Sequence, residues 1–140
     1  MASANRSTPV PALKWEDRYE VGIAAIDGQH REMLGLANRL LAGLHAGRDR
    51  DELVEMLREL VRATEHNIAT EERLMQEHGL SPAHHAAEHA RLLEAIRHFD
   101  LRLDPRGLAE SARFLHEWLL GHIDEDDRPF AEQLRSRGAA

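Results

Sequence analysis

Apolar residues recur at intervals of three and four along four long segments of the chain, a spacing typical of amphipathic helices. In the first two segments the inward-facing positions are His30, Leu34, Ala37, Leu41 and Leu44, followed by Leu53, Leu57, Leu60, Thr64, Asn67, Glu71 and Leu74. In the last two they are His85, His89, Leu92, Ile96, Phe99 and Leu103, followed by Leu108, Ala112, Leu115, Leu119 and His122. No segment shows the alternation of apolar and polar residues that a half-buried strand requires.

Helix-breaking stretches separate the four segments. They are "AGRD" at 46–49, "HGLSP" at 78–82 and "DPRG" at 104–107. Gly79 suits the left-handed position that follows a helix end, and Ser81 followed by Pro82 is typical of a helix start. Since short connections make consecutive helices antiparallel, the sequence predicts an all-α fold, an up-down-up-down antiparallel four-helix bundle. We divide the chain into an N-terminal arm, residues 1–14, and a four-helix domain, residues 15–135.

Polar residues interrupt the apolar pattern near one end of each predicted helix. They lie at the start of the first helix, the end of the second, the start of the third and the end of the fourth: His30; Asn67 and Glu71; His85 and His89; and His122. In an antiparallel bundle these four places share one end of the core, in a layer roughly 10 Å thick. Because buried polar groups without bonding partners are costly, we expect this layer to bind an ion.

The donor types narrow the choice of ion. His85 and His89 are four residues apart, so they share one helical face and can bind a single ion. The chain has ten histidines and no cysteine, which excludes thiolate zinc sites, iron–sulfur clusters and disulfides. Three or four imidazoles with two carboxylates exceed what one tetrahedral zinc uses, while magnesium and calcium prefer oxygen ligands. Two carboxylate-bridged iron ions fit this donor set better.

A further candidate carboxylate lies in the stretch "HIDEDD", which begins at His122. Asp127 follows His122 by five residues, where we expect the helix to end or turn. Its carboxylate could fold back as a bridge, and the alternative is an acidic, solvated helix end. We interpret the acidic residues 124–126 as a solvated helix end. The Glu-x-x-His pairs of ferritin-like carboxylate sites and the His-Glu-x-x-His zinc motif are both missing from the sequence.

Charge and hydropathy exclude other classes of protein. A formal charge of −7 and a pI near 5.8 argue against a nucleic-acid-binding surface. No apolar run approaches the roughly 18 residues that cross a bilayer, and the N-terminal stretch lacks the apolar core of a secretory signal. We therefore expect a cytoplasmic protein of one domain, without membrane insertion, as a monomer or a weak oligomer.

Four motifs, in this order, resemble the hemerythrins, and specifically the single-domain bacteriohemerythrins. They are "WEDRYEVGIAAIDGQHREMLGLANRL", "TEERLM", "HAAEH" and "WLLGHIDEDD", and the resemblance covers about residues 13–130. It implies a non-haem centre of two iron ions (Fe2+/Fe3+) with an oxo or hydroxo bridge that binds O2 reversibly. By position it makes His30 a ligand of one iron and makes Glu71 and Asp127 the bridging carboxylates. The ligands of the other iron are His85, His89 and His122.

The resemblance also implies a histidine four residues before Glu71, a position that holds Asn67 in this chain. The nearest histidine, His66, is one residue early. Without a gap, Asn67 points inward and His66 is rotated about 100° away. Alternatively, a one-residue π-bulge between His66 and Glu71 brings the imidazole into line, since such bulges favour functional sites. The connection "HGLSP" is one residue short for the family, which supports the bulge, and we prefer His66 as a metal ligand.

Reversible O2 binding for storage, sensing or delivery to a partner oxidase is the function that the resemblance implies, and we expect no enzymatic activity. Five residues that pack in the core would also line the O2 pocket: Ile68, Met75, Trp118, Leu119 and Ile123. The alternative is a di-iron enzyme of peroxidase, oxidase or NO-handling type with an altered coordination sphere, for which NO or peroxide would be the ligand. The enzyme alternative is favoured if Asn67 replaces a histidine ligand. The remaining histidines, at 45, 78, 84, 98 and 116, are expected on the surface or flanks.

Overall fold

The computed structural model describes residues 12–139 except 82 and 100–104, with the backbone alone for 83, 84, 105–109, 111 and 126. A short 3-10 turn, Asp17–Tyr19, precedes five helices and one π-helical segment. The helices are α1 (Ala24–His45), α2 (Arg50–Glu77), α3 (Ala83–Arg97), α4 (Pro105–Gly121) and α5 (Arg128–Ser136), and the π-helical segment, His122–Asp127, joins α4 to α5. The described residues include no strand.

The architecture confirms the predicted all-α four-helix bundle. Helix α4, the π-helical segment and α5 follow one another without a break, so the described residues build four rods. The start of α1, the end of α2, the start of α3 and the end of α4 meet at one end of the core, which requires consecutive rods to be antiparallel. The polar layer predicted from the sequence lies at that end.

The predicted inward-facing positions form the core of the bundle. Every one of them that the structure describes is buried, except Leu74, which is half-buried. Leu103 and Leu108 lie outside the residues whose side chains are described. Buried leucines such as Leu40, Leu60 and Leu115 fill the core away from the polar layer. Removing this apolar surface from water is the main favourable contribution to folding.

Local residue chemistry fixes the helix ends. Gly47 and Gly79 adopt φ angles of 71° and 75°, the left-handed conformation that glycine adopts without steric cost. The Gly79 conformation is the one that its place after a helix predicted. At the start of α2, the Asp49 side chain accepts a hydrogen bond of 3.0 Å from the backbone N–H of Glu52, which caps the helix.

The segment before α1 packs along that helix. The backbone N–H of Leu13 donates to the Asn38 side chain at 3.0 Å, and the Asn38 amide donates back to the Leu13 carbonyl at 2.9 Å. Trp15 lies edge-on to Tyr19, and the Arg31 guanidinium lies over the Trp15 ring. These contacts bring the segment against the helix that carries His30. Residues 1–11 of the predicted arm lie outside the described part of the chain.

A buried carboxylate positions the first turn of α1. Asp27 accepts hydrogen bonds from the backbone N–H groups of Val21 and Gly22, at 2.8 and 3.2 Å. Since Asp27 is three residues before His30, these bonds fix the chain entry close to the polar layer. Across the described ranges, no helix combines the length and apolar character needed to cross a membrane.

Candidate metal centre

Four side chains from three rods converge at the polar end of the core. His30, Glu71, His122 and Asp127 each place one donor atom within 4.8 Å of the donor atoms of the other three. We call these residues the four-donor cluster. Each has a fractional exposure of 3 % or less, so the cluster is shielded from bulk water. Two imidazoles and two carboxylates are a donor set that suits a first-row transition metal.

The π-helical segment explains how Asp127 reaches this cluster. In an α-helix, residues five apart point about 140° away from each other, because each residue turns the chain by about 100°. A π-helix is hydrogen-bonded between residues five apart instead, which brings such residues toward the same face. His122 Nε2 lies 2.8 Å from Asp127 Oδ2, and His30 Nε2 lies 2.6 Å from the same oxygen. The expectation that the helix ends or turns here was wrong, because it continues through the π-helical segment into α5.

Glu71 faces different imidazoles with its two oxygens. Its Oε1 lies 3.1 Å from His89 Nε2. Its Oε2 lies 3.8 Å from His30 Nε2 and 3.9 Å from His122 Nε2. A carboxylate placed in this way has one oxygen for each of two neighbouring positions. The arrangement is that of a potential bridge.

His85 stands beside His89 on the first turns of α3. Both residues are buried, and their ring centroids are 5.7 Å apart. The Phe130 ring packs edge-on against His85, with 4.5 Å between centroids. A cavity of about 420 Å³ opens next to His85, with Met75 and Phe130 in its walls.

Several buried nitrogen and oxygen atoms of the polar layer have no hydrogen-bond partner among the described residues. They include Glu71 Oε2 and Asp127 Oδ1, whereas Asp127 Oδ2 makes ion-pair contacts with His30 and His122. The short His30–Asp127 contact is at ion-pair distance but is not aligned as a hydrogen bond. Leaving a buried polar group unsatisfied costs about 1–3 kcal/mol, and more when it is charged. A cation bound between these atoms removes that cost, so the residues present fit a metal.

Opposite charges shift the titration of these groups in the metal-free protein. Burial alone lowers the pKa of His30, but the Asp127 and Glu71 carboxylates outweigh burial and raise it. Burial likewise lowers the pKa of His89, and Glu71 reverses the shift and raises it. Burial raises the pKa of Asp127, but His122 and His30 hold it far below its usual range. The protein therefore keeps the Asp127 carboxylate ionised and favours protonation of His30 and His89.

The structure does not bring His66 to the cluster, which corrects our preference for it as a ligand. Helix α2 is α-helical without interruption from Arg50 to Glu77, so the proposed π-bulge before Glu71 is not there. His66 is exposed and borders a surface groove with Glu32 and Arg62.

Asn67 is the residue that points inward at this place. It is fully buried, and its Oδ1 lies 3.4 Å from His122 Nε2. Its Nδ2 donates to Gln29 Oε1 at 3.0 Å, and Gln29 Nε2 donates to Thr70 Oγ1 at 2.8 Å. We call these three residues the amide relay. The sequence reasoning did not find Gln29 or Thr70. Their positions beside His30 and Glu71 in the sequence were the available signal.

The predicted pocket residues lie in the core, and the remaining described histidines are half-buried or exposed. Ile68, Met75, Trp118, Leu119 and Ile123 are buried, and the Trp118 indole N–H donates to the Leu92 carbonyl at 3.3 Å. The histidines at 45, 78 and 116 are half-buried and the one at 98 is exposed. The side chain of residue 84 lies outside the described set.

Buried histidines and carboxylates converge inside four antiparallel rods. This arrangement defines a class of helical-bundle protein that binds metal through its side chains and not through a haem. The comparison with known families agrees with this class. The family model described as "Hemerythrin HHE cation binding domain" matches residues 21–134, and the chain belongs to the hemerythrin family.

Curated relatives carry the name Bacteriohemerythrin. The protein of that name from Stenotrophomonas maltophilia (strain R551-3) is 31% identical over 127 residues, which cover 89% of this chain and 82% of the relative. The one from Pseudomonas paraeruginosa (strain DSM 24068 / PA7) is 28% identical over 88% of this chain and 82% of its own. The one from Clostridium acetobutylicum is 26% identical over 84% of this chain and 98% of its own. The similarity therefore extends over most of the chain.

Proposed function

We propose that this protein is a non-haem di-iron protein that binds O2 reversibly. The observation that carries the proposal is the placement of Glu71, whose two oxygens face different imidazoles inside a buried layer of nitrogen and oxygen donors. A carboxylate whose two oxygens face different imidazoles can bridge two ions. Membership of the hemerythrin family supports iron as the metal.

The family resemblance supports a division of the donors between two ions on either side of Glu71. His85, His89 and His122 would hold one ion, and His30 would hold the other. Asp127 lies between His30 and His122 through one shared oxygen and would complete the bridge. Two ferrous ions, when bound, would supply the electrons that hold O2 reversibly.

The neighbouring side chains favour carriage over turnover. Ile68, Met75 and Ile123 present apolar surface, and Trp118 uses its indole N–H on a backbone carbonyl. An apolar lining keeps water away from a reactive site and so slows oxidation of the metal. The residues that we assign to the pocket therefore shield bound O2 and do not transfer protons to it.

The proposal is tested by loading metal-free protein with ferrous salt under argon. We expect close to two iron atoms per chain after desalting. A visible absorption band should then appear in air and vanish when O2 is removed, through repeated cycles. Colourless protein without stoichiometric iron would contradict the proposal.

The buried position of Asn67 favours a second candidate, a di-iron enzyme of peroxidase, oxidase or NO-handling type. An amide oxygen is a weaker ligand than an imidazole, so an iron that relies on it is more open to substrate and more easily oxidised. This candidate predicts an absorption band that decays at once to a stable oxidised form in air. Repeated cycling with O2 would exclude it.

The physiological role within the first candidate is storage, delivery or sensing of O2. Delivery would require a partner oxidase. We propose that the protein acts in the cytoplasm as a monomer or weak oligomer. Pull-down of an oxidase from the native cell by the oxygenated form, and not by the metal-free form, would support delivery.

A further inference from the structure

The amide relay places a buried amide beside the four-donor cluster. Asn67 is fully buried in α2, one helical turn before Glu71. A buried amide is costly unless both its ends are bonded. Its nitrogen end is bonded to Gln29, and its oxygen end faces the four-donor cluster.

Hydrogen bonds along the relay place the oxygen of Asn67 toward the cluster. Gln29 Nε2 donates to Thr70 Oγ1, and Gln29 Oε1 faces Asn67. That oxygen accepts from Asn67 Nδ2, so the remaining atom, Asn67 Oδ1, is directed at the imidazole of His122. An oxygen in this orientation offers lone pairs and no proton.

Among the described residues, the amide oxygen of Asn67 makes no short hydrogen bond on the side of the four-donor cluster. Its separation from His122 Nε2 is 3.4 Å, which is long for a hydrogen bond. Its lone pairs therefore remain available to a metal. Four residues before Glu71, Asn67 would join the ion that His30 holds.

We propose that Asn67 is a metal ligand through its amide oxygen, and that Gln29 and Thr70 are positioning residues that hold this oxygen toward the four-donor cluster. The inference rests on the proposed function, which supplies the metal. It adds a ligand of neutral oxygen type where the family resemblance implies an imidazole. One of the two ions should consequently be held less tightly than the other, so the two load in separate steps.

Anaerobic titration of metal-free protein with Fe2+, followed by measurement of retained iron, tests the ligand. Wild-type protein should show two steps of unequal affinity. Asn67→Leu should weaken the second step about 10-fold or more, while Asn67→His should strengthen it by a similar factor. Asn67→Asp keeps an oxygen donor and should bind at least as tightly as wild type, which separates loss of the ligand from loss of fold.

The positioning residues are tested by variants that change only the relay. Gln29→Leu and Thr70→Val should each weaken the second step about 10-fold, the usual effect of removing a residue that orients a ligand. Thr64→Val is the matched control, because Thr64 is a buried threonine of the same helix whose hydroxyl donates to the Leu60 carbonyl. It should leave both affinities unchanged, and thermal melts of the metal-free variants verify their folding.

A double-mutant cycle identifies the route of the effect. If Gln29 acts through Asn67, the double variant Gln29→Leu/Asn67→Leu should bind iron no more weakly than Asn67→Leu alone. Additive losses would overturn the inference, as would unchanged affinities in Asn67→Leu and Gln29→Leu. Wild-type protein that retains no iron would overturn the proposed function instead.

Discussion

His122 and Asp127 meet across a π-helical turn, with 2.8 Å between His122 Nε2 and Asp127 Oδ2 although the residues are five apart in sequence. His30 approaches the same carboxylate oxygen from α1. One negative charge therefore lies between two imidazoles from different rods. The π-helical geometry, which recurs at functional sites, is what makes this possible.

Asp127→Asn tests this relationship. The substitution keeps the shape of the side chain and removes the charge between His30 and His122, so we expect iron retention to fall by at least about 10-fold in affinity. Glu125→Gln is the matched control, because Glu125 is an exposed carboxylate of the same π-helical segment. Equal iron retention in both variants would show that Asp127 does not bind the metal.

Glu71→Gln tests the bridge. The amide has a single acceptor oxygen, so it cannot serve His89 on one side and His30 on the other as the carboxylate does. We expect retained iron to fall from about two atoms per chain toward one or none. Glu65→Gln, on the exposed face of the same helix, should retain wild-type iron. Iron content measured after desalting compares the two, and a normal content in Glu71→Gln would contradict the bridging role.

Much of the site follows from helical periodicity, because its residues continue the apolar pattern of each rod. His30, Glu71, His85 and His89 are inward positions of regular α-helices, and His122 continues the pattern of α4 as the first residue of the π-helical segment. The structure buries all five. The place of Asp127 did not follow, since a spacing of five does not fit an α-helix and the π-helical turn has no sequence pattern of its own. The family resemblance found this residue where periodicity did not.

The choice between His66 and Asn67 depended on whether α2 contains a one-residue bulge. A single bulge moves the inward position by one residue, and the loop length supported a bulge in α2. The structure instead places its π-helical segment after α4 and leaves α2 regular. The heptad pattern alone, which pointed Asn67 inward, was the better guide. The sequence did not indicate a role for Gln29, because a polar residue next to His30 is equally expected at the surface of the helix.

His66→Ala gives a direct test of that placement. Since His66 is exposed and borders the surface groove, its removal should leave iron content and the visible spectrum unchanged and alter the free energy of unfolding by less than about 0.5 kcal/mol. His89→Ala, the positive control, should lose iron and the oxygen-dependent band. A strong spectral change in His66→Ala would restore His66 as a ligand.

Proton competition gives a prediction about pH. The pKa values of His30 and His89 are raised in the metal-free protein, so at pH 7 these imidazoles carry more protons than free imidazole would. A metal binds the neutral ring, so binding must release those protons. The affinity for Fe2+ should therefore fall as pH drops below the raised pKa values, and it should still be rising with pH above 6.5. Anaerobic calorimetry in buffers of different ionisation enthalpy counts the protons released. Affinity that does not change between pH 6 and 8 would show that neither histidine exchanges its proton for the metal.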